Sequence, residues 1–471
     1  MIYSSITENM VTLLKQIGVL LFLLTINSLP AQNQFSKKQV LEDLEFLMAS
    51  LEEAHYDLYA YTPKDVFDRN YNAVKNTVKK DSFNLLEATS ILQSVISAAN
   101  NGHTEISFPG KSYGDYIYDD KGTVFPLELA FEYDKALVRK NWSGIDEIQS
   151  GSEVLSINGM PIEEILSRIY PLVSAERPYF KNTKIELFSF PRYYWQAFGR
   201  QDEFAVEVRS GDTTKTFYLR AVSALEGYEM KRNETVVPTP KRELKFTADA
   251  AYLNPGHFSG DEPKYRKFID SAFVAINQRE VENLIVDLRN NLGGDDPFSD
   301  YLVSYFADQP FTWTSKFTLK SSAFLKEHVR QHNDTTSPYW KEFLNRKNGE
   351  IYEHEYKPYQ PQPNRKRFKG NVYVLVNRQS HSMAAVTAAQ IQDYGFATIV
   401  GEETGDYPSL YASVFRYKLP NTGIEVQASK GYIVRVNGSK AEKGVIPDIF
   451  IKDHLLDEND EILEGLLMQI N

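Results

Sequence analysis

A serine in a predicted strand-to-helix turn has a setting that suits nucleophilic catalysis. Residues 371–377 read NVYVLVN, an apolar, β-branched run typical of a buried strand, and the alanine-rich segment after Ser382 has the composition of a helix. Ser382 therefore lies beside the unpaired N–H groups and positive dipole end of a helix, which stabilise negative charge developing on a substrate oxygen. The pattern makes Ser382 a candidate nucleophile. A plain helix cap at Ser380 or Ser382 fits the same local pattern.

A histidine at a helix-to-strand junction offers a candidate base. Residues 35–108 repeat apolar side chains at intervals of three and four, which predicts two or three amphipathic helices. The last of these helices is predicted to end at Asn100-Asn101-Gly102, and the strand-like EISF follows soon after. His103 thus lies at a junction where its ring can face a cleft and exchange protons near neutral pH. A surface or structural histidine is the alternative reading.

A glycine pair follows a second predicted buried strand. The run NLIVDLRNN precedes Leu292, Gly293 and Gly294, and a helix is predicted after them. Glycines at such a position bring bare backbone N–H groups close to a ligand, and the helix dipole adds to the attraction. The spacing does not match a phosphate-binding or dinucleotide-binding fingerprint, and a tight turn without a ligand fits equally well.

The charge balance and the absence of cysteine exclude several classes of function. The formal net charge of −11, with no basic stripe, argues against a surface for nucleic acid or anionic membranes. Without cysteine the chain has no disulfide, no thiol nucleophile, no thiolate metal site and no lipid-modified cysteine. His328, His332 and His354 lack the spacing of a tight metal site, so no metal is predicted.

The N-terminus has the features of a secretory signal peptide. Lys15 precedes the apolar run 17–26, which the small and polar residues SLPAQNQ follow. The run is too short to span a bilayer comfortably, so cleavage near Ala31 is predicted, with residues 1–31 removed. A membrane anchor is the alternative, and Met10 is an alternative start. Export of a chain without cysteines is more typical of a bacterial periplasm or cell envelope than of a disulfide-rich setting, although secretion also fits.

The composition changes along the chain in a way that indicates two or three domains. Helical periodicity gives way to short strands and then to alternating strands and helices, which indicate a mixed or parallel sheet covered by helices. The sequence therefore predicts a multidomain α/β protein with an N-terminal helical domain at 33–108, a β-rich domain at 112–225, an α/β domain at 242–455 and a C-terminal helix at 456–471. Residues 311–367 are predicted to form an insertion or lid within the α/β domain.

One segment of the β-rich domain resembles a PDZ domain. Residues 151–159 read GSEVLSING and precede a predicted helix, much like the PDZ run Gly-Asp-x-Ile-Leu-x-Ile-Asn-Gly, with Ser152 where aspartate is common. A PDZ domain binds peptide tails by adding an extended strand to its sheet edge, where backbone amides receive the terminal carboxylate. FPLELAF, at residues 125–131, is the candidate carboxylate-binding loop. A β-rich spacer that binds nothing is the alternative.

The motifs occur together in the order of one known peptidase family. DLRNNLGG, VNRQSHSMAAVTAAQIQDYG, IVGEETG and EKGVIPDI follow one another, with the PDZ-like segment upstream. Over most of residues 35–452 the chain resembles the carboxy-terminal processing, or tail-specific, serine peptidases, and specifically their tricorn-like branch. The resemblance implies a ClpP/crotonase-like α/β catalytic core preceded by a PDZ-like domain.

The resemblance also implies roles for residues at matching positions. Ser382 matches the nucleophilic serine. Where the processing branch has its lysine base in Thr-Phe-Gly-Lys-Gly, this sequence has TGDYP at residues 404–408, so that lysine is absent. The tricorn-like branch uses a histidine that matches His103, and its orienting carboxylate matches Glu442. Tricorn reaches that glutamate through a serine, but Gly102 has no hydroxyl, so Glu442 is expected to act directly, through water, through another side chain, or not at all.

An oxyanion hole completes the predicted site. The Met383 N–H together with an N–H of the Gly293-Gly294 pair is expected to hold the oxyanion. His381 is a rival base because it adjoins Ser382, but a neighbour in sequence usually points away from the nucleophile.

The function that the resemblance implies is an exported serine peptidase acting by acyl transfer. Ser382 attacks a peptide carbonyl, an acyl-enzyme forms, and water activated by His103 releases the product. The mechanism needs no metal and no organic cofactor. Substrates are expected to be polypeptides or peptides with accessible tails, nucleic acid is not an expected partner, and a homo-oligomer is left open. Two alternatives are a non-catalytic peptide-binding or scaffolding protein and a carrier of apolar small molecules.

Overall fold

The computed structural model describes residues 34–236, 241–247 and 249–470. The predicted signal peptide, residues 1–31, lies outside the described residues. Within the described part, no helix is both long enough and apolar enough to cross a membrane.

The N-terminal region is mainly helical, as the apolar periodicity predicts. Its first helix begins after Ser36, whose side chain accepts from the Gln39 N–H while the Gln39 side chain accepts in return, forming a capping box. Two short strands pair with each other beside the helices. The elements are β1 Gln34–Ser36, α1 Lys37–Ala54, α2 Lys64–Thr77, β2 Ser82–Asn84 and α3 Leu85–Ile96.

The middle region forms its own antiparallel sheet. The strands are ordered β4-β5-β6-β8-β9, with β7 on β6, and their inward side chains form a hydrophobic core separate from the main one. The elements are α4 Gly110–Tyr118, β3 Thr123–Val124, β4 Leu127–Glu132, β5 Lys135–Asn141, β6 Glu153–Ile157, β7 Met160–Pro161, α5 Ile162–Ile169, α6 Pro178–Phe188, α7 Phe190–Phe198, β8 Glu203–Ser210, β9 Thr213–Arg220, β10 Val222–Ser223 and α8 Met230–Thr235.

Strand β4 lies at the edge of this sheet, and part of its backbone already has a hydrogen-bond partner within the chain. The Phe131 N–H donates to the carboxylate of Glu186 on α6 at 2.6 Å. The stretch that the sequence suggested for a peptide carboxylate therefore packs against the chain's own helix at this point. The PDZ-like assignment of this region stays a prediction.

The C-terminal region alternates strands and helices. Its elements are β11 Glu243–Phe246, β12 Ala250–Asn254, α9 Glu262–Arg279, β13 Asn283–Asp287, α10 Asp296–Val303, β14 Lys316–Lys320, α11 Ala323–His332, α12 Pro338–Asn345, β15 Ile351–Glu353, β16 Asn371–Val376, α13 Met383–Tyr394, β17 Thr398–Gly401, β18 Leu410–Lys418, β19 Glu425–Val434, β20 Ile449–Phe450 and α14 Glu461–Ile470.

A six-stranded sheet at the centre of this region positions the candidate residues. Its order is β11-β12-β13-β16-β17-β20, and every pair except the antiparallel β11–β12 is parallel. Asp287 at the end of β13 stands opposite Leu375 near the end of β16. Because the carboxyl ends of parallel strands share one edge, the loops that follow β13 and β16 lie side by side.

A second, antiparallel sheet has the order β15-β14-β19-β18. Residues 311–367, predicted as an insertion or lid, contribute β14 and β15 to it, and β14 pairs directly with β19. This segment is therefore built into the fold of the α/β region and does not lie only above it.

The N-terminal helices and the C-terminal region share one hydrophobic core. Buried side chains of α1 and α3 belong to the same cluster as those of the six-stranded sheet and of helix α13. The link continues in the backbone, where Glu105 and Gln427 of β19 exchange both hydrogen bonds at 3.0 and 2.9 Å. The chain just before Glu105, which contains His103, is thereby fixed against the α/β region.

Candidate active site

Ser382 occupies a strained turn between β16 and α13. Its backbone has φ 53° and ψ −125°, and the first residue of α13 follows it directly. Positive φ is costly for a residue with a side chain and persists where surrounding structure enforces it, often at functional sites. The serine side chain caps no helix N–H. Ser380, in contrast, is structural, since its hydroxyl donates to the Leu288 carbonyl and accepts from the Asn377 N–H.

The glycine turn after β13 lies directly against Ser382. A Cβ atom on Gly293, which has φ 85°, would approach the Met383 nitrogen to 2.6 Å and the Ser382 Cβ to 2.8 Å, so only glycine fits. A Cβ atom on Gly294 would likewise lie only 1.9 Å from the Phe258 carbonyl oxygen. Gly293 therefore packs closely against the turn that carries Ser382, and the predicted role of the glycine pair toward a ligand stays a prediction.

The geometry assigns different roles to the two glycines. The Gly293 N–H already donates to the Asn291 side chain at 2.8 Å, so it is not free for an oxyanion. Gly294, Met383 and Ser382 line the same cavity. Of the predicted oxyanion donors, the geometry therefore favours Met383 and Gly294, while Gly293 provides the close approach.

His103 enters this cavity from the N-terminal region. The 3₁₀ turn after α3 ends at Asn100 in the left-handed conformation with φ 49°, as expected of a helix-terminating asparagine. The His103 carbonyl accepts from the Gln427 side chain at 3.1 Å, which joins the junction to β19. The side chain is buried, and His103 lines the same cavity as Ser382. The structure thus brings together two residues that are far apart in sequence.

The imidazole of His103 is neutral at neutral pH. Burial lowers its pKa to about 4, although the negative charge of Glu176 acts in the opposite direction. Within the described residues neither ring nitrogen has a hydrogen-bond partner. Its Nε2 lies 3.8 Å from Oδ2 of Asp406. A neutral imidazole retains the lone pair that a general base needs.

His381 packs behind His103. The two rings stack with centroids 5.0 Å apart, and the ring of Phe180 lies 5.1 Å from that of His381. Its Nε2 lies 3.2 Å from the same Asp406 oxygen. Burial, with a smaller contribution from the charge of His103, lowers the pKa of His381 well below its ordinary value.

Asp406 connects these groups to the nucleophile. It is fully buried, and its Oδ2 accepts from the Ser382 N–H at 2.9 Å while its Oδ1 accepts from the Tyr407 N–H at 2.9 Å. Burial raises the pKa of Asp406 to about 6, against the opposing effect of these hydrogen bonds and of Lys184. Sequence reasoning did not assign this aspartate a role, although it lies in the TGDYP segment that stands where the lysine motif was sought.

A second carboxylate, Glu176, comes from the middle region. Its Oε1 accepts from the Gly102 N–H at 2.7 Å. A Cβ atom on Gly102 would approach the Glu176 Oε2 to 2.9 Å, so the glutamate occupies space that a side chain at position 102 would need. Burial, and then the charge of Asp406, raise the pKa of Glu176 to about 7. No motif in the sequence pointed to Glu176, because its neighbours are assembled only by the fold.

The structure does not place Glu442 beside His103. Glu442 is exposed in the loop that follows β19, and among the described residues we find no contact between it and the histidine. The buried carboxylates around His103 are instead Asp406 and Glu176. The geometry thus corrects the assignment of Glu442 as the orienting carboxylate.

The cavity beside Ser382 has a volume of about 390 Å³. Much of its wall comes from residues 311–367 and from β18 and β19. Lys430 also lines it, and burial lowers the pKa of this amine to about 7 while its ammonium donates to Ser413. The aromatic and aliphatic part of the wall includes Trp313, Phe317, Leu325, Tyr339, Trp340 and Tyr356.

Comparison with known proteins identifies the C-terminal region. Residues 249–451 match the model of peptidase family S41. Among solved structures, mature CPAF is similar at 16% identity and a TM-score of 0.61, over 88% of this chain and 92% of that chain. Mature CPAF complexed with lactacystin matches at 15% identity and a TM-score of 0.62, over 92% and 97%. A photosystem II D1 C-terminal processing protease matches at 16% identity, over 91% and 96%, with a TM-score of only 0.43. At these identities the structural likeness concerns the fold.

Proposed function

The chain carries a peptidase family S41 domain and is a serine-type peptidase, and we propose that it cleaves polypeptide or peptide substrates through an acyl-enzyme on Ser382. The observation that carries this proposal is the strained turn at Ser382, which presents the serine at the start of α13 in the cavity that His103 also lines. A nucleophile at a helix N-terminus, with a neutral imidazole nearby, is the arrangement that acyl transfer needs.

His103 is the general base of the proposed mechanism. It takes the Ser382 hydroxyl proton as the oxygen attacks the substrate carbonyl, and it returns that proton to the leaving amine. Water then enters, His103 takes a proton from it, and the acyl-enzyme is hydrolysed. His381 is a weaker candidate because it packs between His103 and Phe180 rather than lining the cavity.

The tetrahedral intermediate carries its negative charge on the former carbonyl oxygen. The Met383 N–H at the first position of α13 and the Gly294 N–H are the proposed donors to this oxygen. Asp406, which replaces Glu442 in this scheme, stabilises the imidazolium formed on His103 because its Oδ2 lies 3.8 Å from the His103 Nε2.

The cavity indicates how a substrate side chain is held. Its aromatic and aliphatic wall lies next to Ser382, so a large apolar side chain beside the scissile bond fits it. The remainder of the substrate lies in extended form along the sheet edge or on the PDZ-like region. Export to a bacterial envelope is part of the proposal and rests on the apolar run 17–26 followed by small residues. N-terminal sequencing of the mature protein tests the export.

Labelling with a fluorophosphonate probe tests the catalytic assignment. We expect wild type and His381→Ala to be labelled, and Ser382→Ala and His103→Ala to remain unlabelled at neutral pH. Labelling of His103→Ala together with loss of labelling in folded His381→Ala would transfer the base role to His381. A folded wild-type protein that never reacts would contradict the mechanism.

One observation favours a second candidate function. Among the described residues, neither ring nitrogen of His103 has a hydrogen-bond partner, so the histidine is not bonded to Ser382. A protein that binds peptides without cleaving them would tolerate that separation. Catalytic hydrogen bonds are often long before substrate binds, so the peptidase remains the proposal. Peptide binding by a wild-type protein that is inert to the probe would favour the second candidate.

A further inference from the structure

Three potential metal ligands converge beside the nucleophile. One ring nitrogen each from His103 and His381 and a carboxylate oxygen of Asp406 lie within 4.8 Å of one another. The two nitrogen-to-oxygen distances are 3.8 Å and 3.2 Å. The side chains of His103 and Asp406 are 8% and 0% exposed, and that of His381 is 21% exposed. Three donors from three separate loops thus point at one small volume.

The nitrogen atoms of this cluster are not satisfied by the protein. Within the described residues, both ring nitrogens of His103 and the Nε2 of His381 are buried without a hydrogen-bond partner. Buried polar atoms normally have partners, and each exception calls for a physical explanation. Acyl transfer explains one imidazole, because one base is sufficient. The second imidazole, stacked on the first and directed at the same carboxylate oxygen, is left without a role.

The donor set suits a first-row divalent metal. Zn²⁺ binds imidazole nitrogen and carboxylate oxygen at roughly 2.0–2.2 Å in a tetrahedral arrangement, which places neighbouring donor atoms about 3.3 Å apart. The separation of 3.2 Å between His381 and Asp406 already satisfies this spacing. The separation of 3.8 Å between His103 and Asp406 requires a shift of a few tenths of an ångström. Of the three ligands, His103 also lines the cavity beside Ser382.

The local charges also favour a cation. Asp406 and Glu176 repel each other in the buried site. Lys184 opposes a cation, but its ammonium is occupied by the Gly102 and Ser174 carbonyls and by Glu105.

A cation bound to Asp406 would offset part of this repulsion. Among the other charged groups nearby, Arg177 is paired with Glu403 at 2.7 Å.

We propose that His103, His381 and Asp406 form a reversible inhibitory site for Zn²⁺ or a similar divalent transition metal. The Nε2 lone pair of His103 forms a coordinate bond to the metal, and the metal-bound imidazole no longer acts as a base for Ser382. No bond of the protein breaks, and any proton on Asp406 is released to solvent as the carboxylate binds. The inhibition rests on the proposed peptidase function, whereas the binding of the metal does not.

Binding is measured first, on metal-free protein titrated with Zn²⁺ by calorimetry and with Co²⁺ by visible absorption. We expect one site in wild type and in Ser382→Ala, which retains all three ligands. We expect binding at least ten-fold weaker in His381→Gln and in Asp406→Asn. Circular dichroism shows which variants fold, and either ligand variant is sufficient for the comparison.

A matched control comes from a second histidine pair. His328 and His332 on α11 also stack, with centroids 4.4 Å apart, but they lie outside the proposed ligand cluster. His332→Gln should bind Zn²⁺ as wild type does. Loss of binding in His332→Gln with retention in His381→Gln would overturn the proposal, and so would the absence of any binding in wild type.

Activity is measured second and separates the two proposals. With an active wild type, Zn²⁺ should abolish probe labelling and a chelator should restore it. The labelling of His381→Gln should require at least ten-fold more Zn²⁺ than that of wild type for the same fractional loss. If wild type binds the metal but is inactive toward the probe, the metal site stands and the peptidase assignment is overturned. If wild type is active and Zn²⁺ does not inhibit it, the inhibitory site is overturned and the peptidase assignment stands.

Discussion

Two strand-to-helix turns meet at the candidate site, and they reach positive φ in different ways. After β13 the chain uses Gly293 and Gly294, with φ of 85° and 137°, and after β16 it uses Ser382, with φ of 53°. Glycine adopts such a conformation readily, whereas for a residue with a side chain the conformation costs on the order of 1–3 kcal/mol of free energy. Packing explains the glycine turn, since no Cβ fits there. In the proposed mechanism the hydroxyl is the reason for a serine at the other turn.

Their hydrogen-bond partners differ as well. The Gly293 N–H donates to the amide oxygen of Asn291, and the Ser382 N–H donates to the carboxylate of Asp406. The Gly293 N–H is therefore held by a group that does not titrate, and the Ser382 N–H by a side chain that does. Four substitutions test this comparison.

Ser382→Ala should have the largest effect on activity. We expect kcat for a peptide substrate to fall by at least about 10³-fold, because the nucleophile is lost while the binding groups remain. The free energy of unfolding should change by less than about 0.5 kcal/mol, because the hydroxyl caps no N–H of α13. Hydrolysis assays and urea titrations measure the two quantities. Undiminished hydrolysis would show that the strain at this turn serves some purpose other than nucleophilic attack.

Gly293→Ala should have the largest effect on stability. The new methyl group would collide with the Met383 backbone, so we expect a loss of roughly 3 kcal/mol or more in unfolding free energy. Gly395→Ala is the matched control, because Gly395 also has positive φ, 72°, but has open space around it. That control should lose only about 1 kcal/mol. Equal losses in both variants would mean that backbone conformation, and not close approach, determines the glycine at position 293.

Glu176→Gln should change how the free energy of unfolding depends on pH. The pKa of Glu176 is raised from 4.5 to about 7, so its contribution to stability is present below pH 4.5 and is lost as the pH rises through 7. Glutamine cannot ionise and avoids that loss. We therefore expect the variant to exceed wild type in unfolding free energy at pH 8, on the order of 1–3 kcal/mol, and to match it near pH 4.5.

Urea titrations at several pH values measure this difference. Glu442→Gln is the control for the removal of a carboxylate at an exposed position. A difference for Glu176→Gln that does not vary with pH would show that the buried carboxylates do not repel each other as the structure indicates.

Ser382→Gly should have the smallest effect. Glycine relieves the positive φ at this turn, so we expect a gain of up to about 1 kcal/mol in unfolding free energy relative to Ser382→Ala, measured by urea titration. A variant no more stable than Ser382→Ala would mean that the surrounding loops, and not the side chain, account for the conformation.

The sequence predicted the parts of the site that depend on local pattern. Ser382 lies between a strand and a helix because an apolar β-branched run precedes it and an alanine-rich run follows it, and the structure confirms that placement. The end of the helical turn before His103 was equally predictable from Asn100, which adopts the left-handed conformation there. Parallel strands then place the serine turn and the glycine turn at one sheet edge.

The parts that depend on tertiary contacts were not predictable. Glu442 was chosen from the order of motifs, but its loop faces solvent. Glu176 belongs to a region with no catalytic pattern and reaches Gly102 only in the folded chain. Asp406 had one usable signal, because its segment departs from the lysine motif. A departure of this kind marks a position to inspect but does not reveal the partners that the fold supplies.

The single core shared by the N-terminal helices and the α/β region has a consequence for folding kinetics. Val95 and Val286 belong to one hydrophobic cluster, while residues 125–219, which lie between them in sequence, form a separate one. Closing so long a loop costs entropy before its contacts form. The core formed by residues 125–219 needs only contacts between residues close in sequence, so we expect it to fold first. Its folding shortens the loop that remains between Val95 and Val286. The nucleophile and the base would then meet late in folding, after most of the chain is already ordered.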